Sequence, residues 1–182
     1  MLSQTLCEKR FIYIEREVRD MLQDEWKLIY EMYYRPLYLY ALSLARNKDD
    51  AEDLLQETFV KAFLSYEGGG SIKYWLITVL RNEFYSVQRK RRKEVPEELV
   101  ADSEKSSGED ILASFIEKEE RRQLFLEIQK LPIQMQEVLM ESVYFHMADE
   151  DIGKLHGWTK ENVRKIRSRA KQKLIEQMKE GK

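Results

Sequence analysis

Between Lys154 and Lys173 the only acidic residue is Glu161, while Arg164, Lys165, Arg167, Arg169 and Lys171 crowd a short stretch of chain. Guanidinium groups suit guanine edges and phosphate oxygens, and a lysine serves phosphate as a point charge. The chemistry on offer is therefore the grip of a polyanion rather than the making of a bond. A second basic run, in which every residue from Arg89 to Lys93 is Arg or Lys, lies far upstream. Nothing resembles a catalytic constellation. His146 and His156 have no cysteines or paired carboxylates at metal-ligand spacing, and read as surface or packed histidines. The triplet Gly68-Gly69-Gly70 lacks the Lys-Ser/Thr that a phosphate-binding loop carries after it. No enzyme activity, metal, cofactor or small-molecule substrate is expected.

The downstream basic stretch needs a scaffold, and the sequence supplies one. Ile152 and Leu155 mark a short helix over Asp149 to Leu155, and Gly157 can take the positive φ that ends it. Trp158 can pack beneath the turn, and Thr159 is a good N-cap for a second helix from Lys160 to about Lys179. Val163, Ile166, Ala170 and Leu174 recur every three or four residues and form one apolar stripe. Packing that stripe on a core turns Arg164, Lys165, Arg167, Ser168, Lys171 and Gln172 outward. This is the arrangement of a helix-turn-helix whose second helix enters a major groove. An ordinary solvated basic face has the same charge; the turn spacing and the sign bias together favour DNA.

Few breakers (7 Gly and 3 Pro in 182 residues) and 43% apolar content predict helices almost throughout. The formal charge of −2 averages over blocks of opposite sign. Residues 1–20 have helical composition and no assignable role. Trp26, Ile29, Tyr30, Tyr33 and Leu37 recur at helical spacing, extended by Leu39, Leu42 and Leu44, with Pro36 a bend or a junction. Asp49 or Asp50 can cap a second helix bearing Leu54, Leu55, Thr58, Phe59 and Ala62. The glycine triplet breaks it, and Ser71 can cap a third helix through Trp75, Leu76, Val79 and Leu80. These make one small domain, 21–93. Residues 94–110 are polar and, apart from Lys105, acidic where charged; they read as a flexible linker. Periodicity resumes near Ile111, and Phe115, Leu124, Ile128 and Leu131 lead to a stop at Pro132. Val138, Leu139 and Val143 mark a further helix of a second domain, 111–179. The expected fold is all-α, two small helical domains joined by a flexible acidic linker. One cysteine, Cys7, and no run of membrane-spanning length suggest a cytoplasmic protein.

The stretch Asp49-Asp50-Ala51-Glu52-Asp53-Leu54-Leu55-Gln56-Glu57-Thr58-Phe59 closely resembles the signature of region two of the extracytoplasmic-function (ECF) sigma factors. Trp75-Leu76, Arg81-Asn82 and the basic tail resemble the rest of that region. Leu131-Pro132 and the helix-turn-helix ending Arg169-Ala170 and Leu174 resemble region four. The resemblance implies an alternative sigma factor that directs bacterial core RNA polymerase to promoters and promotes DNA opening. It implies that Asp53, Gln56 and Glu57 dock on the polymerase clamp. Gly68, Gly69, Gly70, Arg81, Asn82, Tyr85 and Arg89 would hold the melted promoter strand, where basic groups, an aromatic face and an amide suit unpaired bases. Thr159, Lys160, Arg164, Lys165, Arg167, Ser168, Arg169 and Lys171 would bind the duplex upstream element. The linker would run through the polymerase channel, and an anti-sigma factor is an expected partner, in the cytoplasm or holding the chain at the membrane. Two other classes fit parts of the pattern: a stand-alone helix-turn-helix regulator, and a helical adaptor that never touches nucleic acid. The first helix of the helix-turn-helix departs from the family in carrying Ile152-Gly153 instead of Ile-Ala, which costs about 1 kcal/mol of helix propensity.

Overall fold

The computed structural model describes residues 2–94, 116 and 118–180, with side chains over 24–93, 116 and 118–179. The expected linker beyond Glu94, residues 111–115 and the side chains of residues 1–20, Cys7 among them, lie outside the described residues. All regular structure in the described part is helical: α1 (Leu2–Ala45), α2 (Lys48–Ser65), α3 (Ile72–Glu94), α4 (Glu119–Gln129), α5 (Ile133–Leu139), a π-helical turn (Met140–Tyr144), α6 (Asp149–His156) and α7 (Lys160–Glu180). Met1–Tyr34 and Arg35–Lys182 are separate compact units, and the second holds every candidate site residue.

Pro36 lies inside α1 and does not end it. Beyond it Leu37 to Leu44 are all buried, so the end of α1 is core on every side. The start of α2 is capped by Asn47, not by Asp49 or Asp50 as the sequence suggested. Asn47 accepts from the Asp50 backbone N–H at 2.8 Å and its amide donates to the Asp50 carboxylate at 2.6 Å. The N-cap must stand outside the helix and reach the N–H three residues on; Asp50 is that third residue. Ala51, Leu54, Leu55, Thr58 and Ala62 then face α3, which answers with Leu76, Ile77, Leu80 and Phe84.

In the C-terminal half Leu131, Leu139 and Ala170 form a core, flanked by Ile128, Met135 and Leu174. The expected helix through Val143 is interrupted by the π-helical turn. One extra residue per turn slips the register, and Val143, expected on the apolar face, is 55% exposed.

Within the 35–182 unit the two halves also meet. Tyr40 donates to Glu141 at 2.7 Å, Arg81 Nε to Glu137 at 3.0 Å, and Tyr74 to Asp151 at 3.0 Å. Lys73 Nζ reaches the Phe145 carbonyl at 2.9 Å, and Gln129 reaches the Leu42 carbonyl at 3.1 Å. Glu137 and Glu141 are fully buried, so this contact is a desolvated polar network, not a rim of surface pairs.

Candidate nucleic-acid interface

The helix-turn-helix forms from local chemistry. Gly157 ends α6 at φ +69°, and the Trp158 N–H bonds back to the Gly153 carbonyl at 2.8 Å. Thr159 Oγ1 accepts from the Asn162 N–H at 3.2 Å, which starts α7. Val163 and Ala170 are fully buried, and Ile166 and Leu174 partly so. Trp158 stacks on the His156 ring at 4.2 Å. His156 is itself enclosed and holds Glu141 through Nε2 at 2.8 Å.

The expected upstream-element residues divide into two sets. Lys165, Ser168, Arg169 and Lys171 are exposed or partly exposed on the outer surface of α7. Lys160, Arg164 and Arg167 carry carboxylate partners from α6. Lys160 pairs with Glu150 at 2.6 Å, Arg164 Nε with Asp149 at 3.2 Å, and both terminal nitrogens of Arg167 also close on Asp149. Arg164 stays exposed while Arg167 is half-buried. Thr159 is engaged as the helix cap.

The expected strand-reading residues are also split. Gly68 and Gly69 take φ of +84° and +86° in an exposed loop, and Tyr66 donates to the Gly70 carbonyl at 2.5 Å. Asn82 and Arg89 are both exposed to solvent. Arg81 and Tyr85 are engaged: both bond Glu137, Tyr85 at 3.0 and 3.1 Å, and the Arg81 guanidinium lies 4.9 Å from the Tyr85 ring centre. Burial, then the Glu137 charge, pushes the Tyr85 hydroxyl up to about 12. Burial also raises the Glu137 carboxyl, against the pull of Arg81. Trp75 is partly buried, edge-on to Tyr66 at 5.7 Å. Asp53, Gln56 and Glu57 are exposed on α2, with Glu57 3.3 Å from Lys61. Beside them Arg91, from the basic tail, forks onto Asp50 at 2.5 and 2.7 Å and holds its carboxyl below the usual range.

The family profile described as Sigma-70 region 2 matches residues 29–94. Over 141 residues the chain is 32% identical to the ECF RNA polymerase sigma factor EcfG of Rhodopseudomonas palustris, covering 76% of each protein. The chain belongs to the ECF sigma factors. A shorter stretch of 70 residues is 46% identical to SigM of Bacillus subtilis, covering 37% of this sigma factor and 42% of that one. Among solved structures, the sigma factor RpoE of Bartonella quintana, in complex with the anti-sigma factor NepR, superposes with a TM-score of 0.65 at 28% identity. That match covers 85% of this chain and 97% of RpoE. Sigma factors are transcription initiation factors rather than catalysts, and the regular structure of this one is all helical among the described residues. Among the described residues no helix is long and apolar enough to cross a membrane.

Sequence reasoning missed Glu137 and Glu141 altogether, and named Asp50 and Asp149 only at helix starts, not as the partners of Arg91 and of Arg164 and Arg167. Glu137 and Glu141 left one trace, two acids four apart within an otherwise apolar run.

Proposed function

We propose that this sigma factor brings core RNA polymerase to a specific set of promoters, reading the duplex upstream element with α7 and the melted strand with the loop at 68–70 and the face of α3. Residues 21–93 and 111–179 are the two working domains, and 94–110 joins them. The observation that carries the reading is the helix-turn-helix, whose stripe of Val163 and Ala170 is buried while Arg164, Lys165, Ser168 and Lys171 face out. In a family member, that basic face has an evident ligand in promoter DNA.

Strand reading by Arg81 and Tyr85 requires their contact with Glu137 to open. The packed arrangement is then a resting state, and polymerase draws the halves apart. An anti-sigma factor, as RpoE has in NepR, would keep the chain from polymerase, in the cytoplasm or at the membrane. A groove of about 610 Å³, lined by Leu124, Ile128 and Leu139 and also by Lys118, Arg121 and Lys171, offers such a partner a largely apolar seat.

Two measurements test the reading. Charge reversal at Asp53 or Glu57 is expected to weaken binding to core polymerase at least tenfold (~1.4 kcal/mol) with unchanged helical content, because exposed polar positions contribute little to stability. Unchanged core affinity in both variants sinks the docking assignment. Lys171→Ala is expected to weaken all promoters alike and to reduce the slope of log affinity against log salt by about one unit, as loss of one phosphate contact requires. A slope equal to that of the parent places Lys171 off the DNA.

A further inference from the structure

Asp149 opens α6, and its side chain is only 10% exposed, yet two guanidinium groups of the next helix converge on it. Arg164 and Arg167 are three residues apart and so share one side of α7. Arg167 spends both terminal nitrogens on the carboxylate and is 29% exposed. Arg164 uses Nε, at 3.2 Å, and its side chain is 58% exposed. The difference in atoms matters. Guanine is read through O6 and N7 by two parallel guanidinium N–H groups. A carboxylate on Nε leaves the terminal pair of Arg164 available and restricts the rotation of a long side chain that would otherwise be frozen only on binding.

We propose that Asp149 is a positioning residue that presents Arg164 to one base pair of the upstream element, and that Arg167 is the strut that fixes Asp149 and not a DNA contact. The proposal rests on the DNA-reading role of α7. A carboxylate this close to a phosphate-binding surface opposes general attraction to DNA. Its removal therefore separates two quantities that a purely structural tie would lower together: selectivity falls, and affinity for unrelated sequence does not.

The test uses the full chain with core polymerase on promoters altered one upstream position at a time, alongside binding to unrelated duplex. Asp149→Ala is expected to flatten preference about tenfold at a single position, the same one that Arg164→Ala flattens, with binding to unrelated duplex equal or tighter. Asp149→Glu, which returns the carboxylate, is expected to restore part of that preference, and Arg167→Ala to leave the other positions unaltered. A partly unfolded variant scales every promoter alike and cannot flatten one position, so loss of fold does not imitate this result. If Asp149→Ala scales all promoters uniformly, or flattens a position other than that of Arg164→Ala, the positioning role is wrong while base reading by Arg164 stands. If Arg164→Ala leaves the profile unchanged, base reading fails and the positioning role fails with it.

Discussion

Replacing Arg81 by alanine is expected to destabilise the 35–182 unit by about 3 kcal/mol, whereas Glu137→Gln, on the other side of the same ion pair, is expected to cost only about 1 kcal/mol. The asymmetry arises from where each charge is left. The Glu137 side chain is 1% exposed, and without Arg81 it is a buried carboxylate with Tyr85 as its remaining close donor. Arg81 is 18% exposed and regains water when Glu137 is neutral. The double variant Arg81→Ala/Glu137→Gln should cost less than the sum, because no buried charge remains to be orphaned. The pH dependence has a definite sign. Burial raises the Glu137 pKa above its unfolded value, in a cluster that also holds Glu141, His156, Tyr40 and Tyr85. Its protonated form therefore favours the fold, and that stabilisation fades as pH rises through the elevated pKa. Loss of Arg81 raises this pKa further, so the deficit of Arg81→Ala should shrink as pH falls from about 7.5 toward about 5. Urea unfolding at the two pH values measures it. A deficit independent of pH, or a Glu137→Gln cost equal to that of Arg81→Ala, contradicts the account. The comparison also bears on the proposed function, since Glu137→Gln weakens the hold on Arg81 while leaving it present for its proposed contact with the melted strand.

What the sequence made legible was whatever short-range chemistry decides. Gly157 and Thr159 end and begin helices through bonds to residues within four positions, and Val163 to Leu174 declares its buried stripe by spacing alone. The basic face of α7 was legible for the same reason. What escaped depends on partners distant in sequence. Glu137 finds Arg81 across 56 positions, and Glu141 finds Tyr40 across 101. No periodicity reports such a pairing, and an acid on an apolar face looks like noise until its partner is seen. Val143 escaped for a different reason: the pattern assumed a constant helical period, and the π-helical turn changes it. Charge counts also overstated the free cations of α7, since Lys160 and Arg167 are held by acids of α6.

Gly153→Ala is expected to destabilise the protein by about 1–2 kcal/mol and to weaken upstream-element binding about tenfold or more, although alanine is the better helix former. Propensity predicts the opposite sign, a gain of about 1 kcal/mol for filling a mid-helix glycine. Geometry overrules it. A Cβ on Gly153 would lie 2.6 Å from the Trp158 carbonyl oxygen, with the Trp158 and Thr159 carbonyl carbons at 3.6 and 3.7 Å. These are backbone atoms, which no rotamer can move aside. The Gly153 carbonyl also accepts the Trp158 N–H, so the turn cannot swing away without breaking the bond that closes α6. The displaced segment ends at Thr159, the cap of α7, and so the strain is passed to the angle at which Arg164 and Lys165 stand for their proposed contact with DNA. The proposed core-polymerase docking through Asp53 and Glu57, on α2, should be unchanged. Thermal unfolding, upstream-duplex binding and core binding of the one variant give the pattern: lower, weaker, same. A Gly153→Ala protein as stable as the parent or more so would mean that the turn relaxes freely, and that the glycine is a tolerated departure rather than a requirement of the close approach between α6 and the start of α7.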